Sequence, residues 1–128
     1  MFKIFVCVSL LIVAASALDG RMESLSSKNF DGKVLKSSEP VMVKFFAPWC
    51  GWCKKMAPEF VAAAKQLSGQ QVTLAEVDCT KNRPLCSKYG VRGYPTLLVF
   101  PKKGSVTSVK YQGSRTSAAF VSYMKKFL

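Results

Sequence analysis

Residues 41–47, Val-Met-Val-Lys-Phe-Phe-Ala, are apolar at every position but one. A run that is apolar on both alternating faces predicts a parallel strand buried between two layers. Its exception, Lys44, needs a partner, because a lone buried ammonium costs several kcal/mol or loses its proton. Downstream, Met56, Phe60, Ala63, Ala64 and Leu67 recur at helical spacing, so a long helix follows Cys50 and reaches Leu67. Pro58 falls inside it and predicts a kink, since proline cannot donate to the preceding turn.

The same pattern places the other elements. Residues 22–25 form a short edge strand, and 27–35 a short helix capped by Ser26 or Ser27. Residues 72–77 are a second buried strand closed by Asp78, and 84–89 a short helix ended by Gly90 in a left-handed conformation. Residues 96–100 and 106–111 read as two strands joined by a hairpin turn at Lys102-Lys103-Gly104-Ser105. Ser114 then caps a last helix running to Phe127. Strand and helix alternate before a hairpin and a final helix, which defines an α/β sandwich: a mixed central sheet covered on both faces.

The first residues belong to no such layer. Lys3 precedes an apolar run over residues 4–15, and Ala15-Ser16-Ala17 supplies small residues for cleavage. These are the parts of a secretory signal peptide, and the run is short of the roughly 20 residues a membrane helix needs. The expected organisation is therefore a signal peptide over 1–17 and one domain over 18–128. Lys125-Lys126-Phe127-Leu128 is not a KDEL-type retention signal, so the expected address is the endoplasmic reticulum lumen or export. No membrane span is expected in the processed chain.

Composition narrows the chemistry. The chain holds five cysteines, no histidine, nineteen Lys or Arg and seven Asp or Glu, for a formal charge of +12. With 49% hydrophobic residues it is neither disordered nor low-complexity. Without histidine, catalysis must run on carboxylates, lysines, tyrosines or thiols, and the commonest metal ligand is missing. Cys7 leaves with the signal peptide, so four cysteines remain: Cys50, Cys53, Cys79 and Cys86. A four-cysteine zinc site wants two short knuckles, and the second spacing is too wide, so neither a metal nor another cofactor is expected. The lysines occur in pairs such as Lys54-Lys55 rather than in a long basic run. They read as a solvated surface with some bias toward acidic clients, not as a specific nucleic-acid site.

The chemistry concentrates at Trp49-Cys50-Gly51-Trp52-Cys53-Lys54, where the buried strand hands over to the long helix. Two cysteines three apart on a first helical turn can bridge. Free N–H groups and the macrodipole at a helix N-terminus favour an anion there, which lowers a thiol pKa. Cys50 is thus placed to attack a disulfide, and Cys53, one turn inward, to resolve the mixed intermediate.

Phe46-Ala47-Pro48-Trp49-Cys50-Gly51-Trp52-Cys53-Lys54 resembles the active-site strand, turn and helix of thioredoxin-fold protein disulfide isomerases. Val91-Arg92-Gly93-Tyr94-Pro95-Thr96 looks like that family's cis-proline loop, and the resemblance spans about residues 22–127. It implies a thioredoxin fold and an enzyme that exchanges disulfides with cysteine-containing client proteins and a redox partner. It implies too that Pro95 is cis, packs on the Cys50–Cys53 pair and presents backbone to an extended substrate. Trp49, Gly51, Trp52 and Tyr94 would share that binding surface. Arg115, in Tyr111-Gln112-Gly113-Ser114-Arg115, matches an arginine that swings toward the resolving cysteine and lowers its pKa.

Two departures stand out. The family usually has His where this chain has Trp52, so a higher Cys50 pKa and a less oxidising couple than in a His-bearing domain are expected. The family commonly places Glu six residues before the first cysteine and Lys on the neighbouring strand. Here those positions are Lys44 and Glu76. The signs are exchanged, and Glu76 either takes over proton transfer at Cys53 or serves a purely structural pair. Cys79 and Cys86 flank the end of a strand and the helix after it, where some disulfide isomerase domains carry a bridge. A structural disulfide is the favoured reading, with a second redox couple or two free thiols as alternatives. A monomer is expected. The competing functional class is a redox-inactive, chaperone-like binding module that uses the aromatic patch of Trp49, Trp52 and Tyr94.

Overall fold

The computed structural model describes residues 22–101 and 107–128. The expected signal peptide with Cys7, the hairpin turn at Lys102–Ser105 and Val106 lie outside the described residues. Five strands, β1 (Glu23–Leu25), β2 (Val41–Phe46), β3 (Thr73–Asp78), β4 (Thr96–Phe100) and β5 (Val109–Lys110), form one sheet in the order β1-β3-β2-β4-β5. β1, β3 and β2 are parallel, and β4 and β5 join antiparallel. The helical segments are α1 (Asp31–Leu35, a π-helical turn), α2 (Gly51–Gln66), α3 (Arg83–Lys88) and α4 (Ser117–Lys125).

The expected two-sided cover is present. Met42, Leu74, Leu97 and Val99 meet Met56 and Phe60 of α2 and Phe120 and Met124 of α4. On the opposite face Val43, Phe45, Val77 and Phe100 meet Phe30, Val34 of α1 and Leu85 of α3. Five phenylalanines, Phe30, Phe45, Phe60, Phe100 and Phe120, are wholly buried. Each such side chain contributes about 1.5–3 kcal/mol by leaving water, which is why the apolar pattern alone defines the layers.

Several boundaries differ from the pattern. α2 runs through Pro58 to Gln66, close to the reach expected; the position is exposed, so water can replace the N–H that proline lacks. α4 is capped by Thr116, whose Oγ1 accepts from the N–H of Ala119 at 3.2 Å, and not by Ser114. The Ser114 carbonyl instead accepts from the Tyr111 hydroxyl at 2.5 Å, closing a turn ahead of the helix. Gly113 is required in that turn, because a Cβ would stand 2.7 Å from the tyrosine oxygen. No side-chain cap forms on α1, and Ser26 instead accepts from Lys28 just before it. Gly90 takes the left-handed conformation expected of it, with φ 71°. β5 covers two residues of the longer run expected.

Candidate active site

β2 delivers the chain into the sheet's C-terminal edge, and α2 starts directly after it. Cys50 is the N-cap of α2, with extended backbone (φ −75°, ψ 118°). Its Sγ accepts the otherwise unpartnered N–H of Cys53 at 3.2 Å, the place a capping oxygen usually takes. Both cysteines are free thiols and nearly buried, Cys50 at 7% and Cys53 at 4% exposure.

The two thiols titrate in opposite directions. Burial opposes the Cys50 thiolate, but hydrogen bonds from the Cys53 thiol and from the backbone of Cys53 and Trp52, with the charge of Arg115, outweigh it. The Cys50 thiol therefore lies below its ordinary value. Cys53 is pushed up to about 11 by burial, by its hydrogen bond to Cys50 and by the Cys50 charge; a backbone hydrogen bond from Ala47 and the charge of Lys44 oppose this. One sulfur gives up its proton more readily and the other holds it, the division of labour an attacking and a resolving thiol need.

The facing wall is the loop before β4. The Tyr94–Pro95 peptide bond is cis, and the Tyr94 carbonyl stands 3.6 Å from Cys50 Sγ as its hydrogen-bond acceptor. The Thr96 hydroxyl donates to the Gly93 carbonyl at 2.7 Å and ties the loop. Pro95 is buried, whereas Trp49 (69%) and Trp52 (64%) stand in solvent. Trp49 meets Tyr94 edge-on at 5.7 Å. A groove of about 560 Å³ runs past Tyr94, Pro95 and Arg115. Gly51 opens α2 with nothing within 4 Å of a hypothetical Cβ, so no steric demand for glycine exists there.

Lys44 and Glu76 are direct cross-strand neighbours on β2 and β3. Their ion pair measures 3.2 Å, and the Lys44 side chain is 4% exposed against 22% for Glu76. The Lys44 ammonium also lies 5.1 Å from the Phe46 ring and 5.2 Å from the Phe60 ring, and cations are attracted to such faces. Glu76 accepts a second hydrogen bond, from the Ser24 hydroxyl of β1 at 3.0 Å. Glu76 is thus occupied by Lys44 and Ser24, and Lys44 is the cation felt at Cys53.

Arg115 is exposed, and its charge acts on Cys50. In this conformation the cation that opposes the rise at Cys53 is Lys44, and a swing of Arg115 toward the resolving cysteine stays an expectation. The reason is placement, since Lys44 lies beneath α2 while Arg115 sits at the surface beyond Trp52. Sequence reasoning passed over Glu59, whose Oε1 accepts from the Ser117 N–H at 2.8 Å and ties α2 to the start of α4 beside Arg115. Tyr111, folded under the Arg115 loop, was missed as well. Neither has a local signal: a glutamate on a helix and a tyrosine ending a strand are unremarked in a single sequence.

Cys79 and Cys86 form a disulfide, with S–S 2.13 Å and Cα–Cα 5.8 Å. It joins the end of β3 to α3, and both residues are buried. Of the three readings open from the sequence, free thiols are thereby set aside.

A helix-capping thiol, its proton-holding neighbour and a cis-proline wall define a thiol–disulfide site on a thioredoxin fold. The Thioredoxin family profile matches residues 21–126, and the chain belongs to that family. It is 40% identical over 113 residues to the protein disulfide-isomerase of Saccharomyces cerevisiae, covering 88% of this chain and 22% of that one. It is 46% identical over 119 residues to protein disulfide-isomerase A3 of Gallus gallus, covering 93% of this chain and 23% of that one. The chain thus spans under a quarter of the length of these relatives. Among solved structures, the J-Trx1 fragment of ERdj5 superposes with a TM-score of 0.76 at 31% identity, over 84% of this chain and 52% of that one.

Proposed function

We propose that this protein is a thiol–disulfide oxidoreductase, a protein disulfide isomerase-like enzyme that exchanges disulfides with client proteins of the secretory pathway through Cys50 and Cys53. The observation that carries the reading is the Cys50 sulfur. It caps α2, accepts the Cys53 N–H and faces the carbonyl before cis-Pro95. The Cys50 thiolate attacks one sulfur of a client disulfide, that S–S bond breaks, and the departing client sulfur takes up a proton. Cys53 then loses its proton and attacks Cys50, so the client is released as a dithiol and the enzyme keeps a Cys50–Cys53 disulfide. Two electrons have moved from enzyme to client, and a thiol redox partner reverses the change. Run backwards, the same steps oxidise a client, and attack followed by re-closure on a different client cysteine isomerises it.

Lys44 is a positioning residue whose charge favours the Cys53 thiolate as it forms. Glu76 acts through Lys44, which it holds in an ion pair, rather than as a proton acceptor for Cys53. Trp49, Trp52, Tyr94 and Pro95 line the client path, and the Cys79–Cys86 bridge staples the edge beside it. The disulfide isomerase relatives and the leader-like residues 1–17 support an endoplasmic reticulum or exported location. The test is insulin reduction and refolding of a scrambled disulfide protein, compared between the chain and its Cys50→Ser/Cys53→Ser variant. Activity should fall to background in the variant. Refolding assistance retained by the variant would instead favour a chaperone-like module acting through the exposed tryptophans.

A further inference from the structure

Three recesses open around the Cys50 site, and each combines an aromatic wall with an exposed cation. One, of about 280 Å³, lies between Trp49, Tyr94 and the Cys79–Cys86 bridge, with Arg83 at its edge. A second, also about 280 Å³, is bounded by Trp52 and Met56 with Lys55 and Arg115. The third is the groove along cis-Pro95, which Arg92 also lines. The neighbouring carboxylates are committed elsewhere. Glu59 accepts from the Ser117 N–H, Asp78 accepts from the hydroxyl and N–H of Thr80, and Glu76 holds Lys44. Among the described residues the ion pairs are Lys33–Glu23 and Lys44–Glu76, so no carboxylate answers Arg83, Arg92, Lys55 or Arg115.

A chain with nineteen basic against seven acidic residues must leave many cations unpaired. What the excess alone does not explain is that each of these three recesses, lined by neighbours of Cys50 or Cys53 in the site, has one next to an aromatic surface. We propose that this rim is a docking surface for acidic segments of client polypeptides. Glutamate or aspartate side chains near the target cysteine would meet Arg83 on the Trp49 side and Lys55 with Arg115 on the Trp52 side. The inference rests on the exchange reaction proposed above and adds the class of client that reacts fastest. Complementary charge of this kind raises encounter rates by roughly 10–10³-fold and is screened by salt.

The test uses one extended peptide carrying a single cysteine as a mixed disulfide with a chromogenic thiol. It is made in three versions with Glu, Gln or Lys at the positions flanking that cysteine. The reduced full chain attacks the peptide sulfur or its partner, and released thiol is followed by stopped flow. The Glu peptide should react roughly tenfold faster than the Gln peptide, and the Lys peptide slower than both. The spread should collapse at about 1 M salt, where the Debye length is ~3 Å. Arg83→Gln combined with Lys55→Gln should lower the Glu-to-Gln rate ratio at least about threefold. Equal rates for Glu and Gln peptides, or a preference indifferent to salt and to these substitutions, would overturn the proposal. Binding is read separately from the tryptophan fluorescence of the Cys50→Ser/Cys53→Ser chain with serine-containing peptides. If no peptide reacts while the Glu peptide still binds best, the exchange reading fails and the surface stands. If all react alike and none binds preferentially, exchange stands and the acidic-client surface fails.

Discussion

The two cysteine pairs sit at equivalent places: Cys50 follows β2, Cys79 follows the adjacent parallel strand β3, and each reaches a partner in the next helix. All four sulfurs belong to buried residues, between 2% and 7% exposed. Burial therefore does not separate the site from the staple. What differs is the polar surroundings. Cys50 caps a sixteen-residue helix and receives an N–H on its sulfur, whereas Cys86 lies within the six-residue α3 with no such role. Cys50 also faces a backbone carbonyl and lies between two exposed tryptophans, Trp49 and Trp52, in the chain. A thiol becomes reactive where donors converge on it and a client can approach, and a cysteine without either is a cross-link.

The sharpest way to break this contrast is to remove each pair in turn. Cys50→Ala should take insulin reduction to background. Cys79→Ala/Cys86→Ala should leave the rate within about twofold and lower unfolding free energy by less than the ~3 kcal/mol of a 15-residue loop, as read by urea denaturation. Loss of exchange in the second variant at a temperature where it is folded would make the bridge a second redox couple.

The charge beneath the site comes next in size. Glu76→Gln leaves Lys44 buried without its carboxylate and should cost about 3 kcal/mol. The exchanged double variant Lys44→Glu/Glu76→Lys should recover most of that stability, but it places an anion where Cys53 now meets a cation. Acid-quenched reactions of the double variant should then accumulate the Cys50–client mixed disulfide, because resolution slows. Equal accumulation in the parent and the double variant would confine the pair to a structural role.

A smaller and more specific effect is the pH dependence of the reduced chain. Cys50 alkylation by iodoacetamide should rise with a midpoint below the ordinary 9.0, while Cys53 stays protected until about 11. The stability consequences have opposite signs. The lowered Cys50 contributes stability that is full above pH 9 and is lost as pH falls through its folded value. The raised Cys53 contributes stability that is full below pH 9 and is lost as pH rises toward about 11. Relative to the Cys50→Ser/Cys53→Ser chain, reduced protein should be most stable near pH 9 in thermal melts. A monotonic trend would mean that the two sulfurs do not divide the proton as described.

Much of this was legible beforehand because it depends on short spacing. Apolar alternation around Lys44 marks a strand buried on both faces, and a C-x-x-C at a strand-to-helix junction places a thiol on free N–H groups. The exchanged Lys44 and Glu76 could be paired from their positions on two strands, and the register bears them out as direct neighbours. What failed depended on contacts that residue type and spacing do not report. Ser114 has the right side chain for a cap, but its carbonyl is held by Tyr111, and the helix begins at Thr116's cap instead. Arg115 aligns with a motif, and the charge it places at Cys50 depends on how α4 meets α2 through Glu59 and Ser117.

By itself, then, the sequence determined the layers of the fold, the thiol chemistry and the need for a partner at Lys44. Apolar periodicity, helix capping and the cost of a buried charge are properties of a few neighbouring residues. Only the tertiary structure decided which cation serves which sulfur, that Cys79 and Cys86 close on one another, and that unanswered cations gather in the recesses around Cys50. Electrostatic effects depend on distance through space and on what else is buried between the charges. Those distances do not exist until the strands and helices have packed.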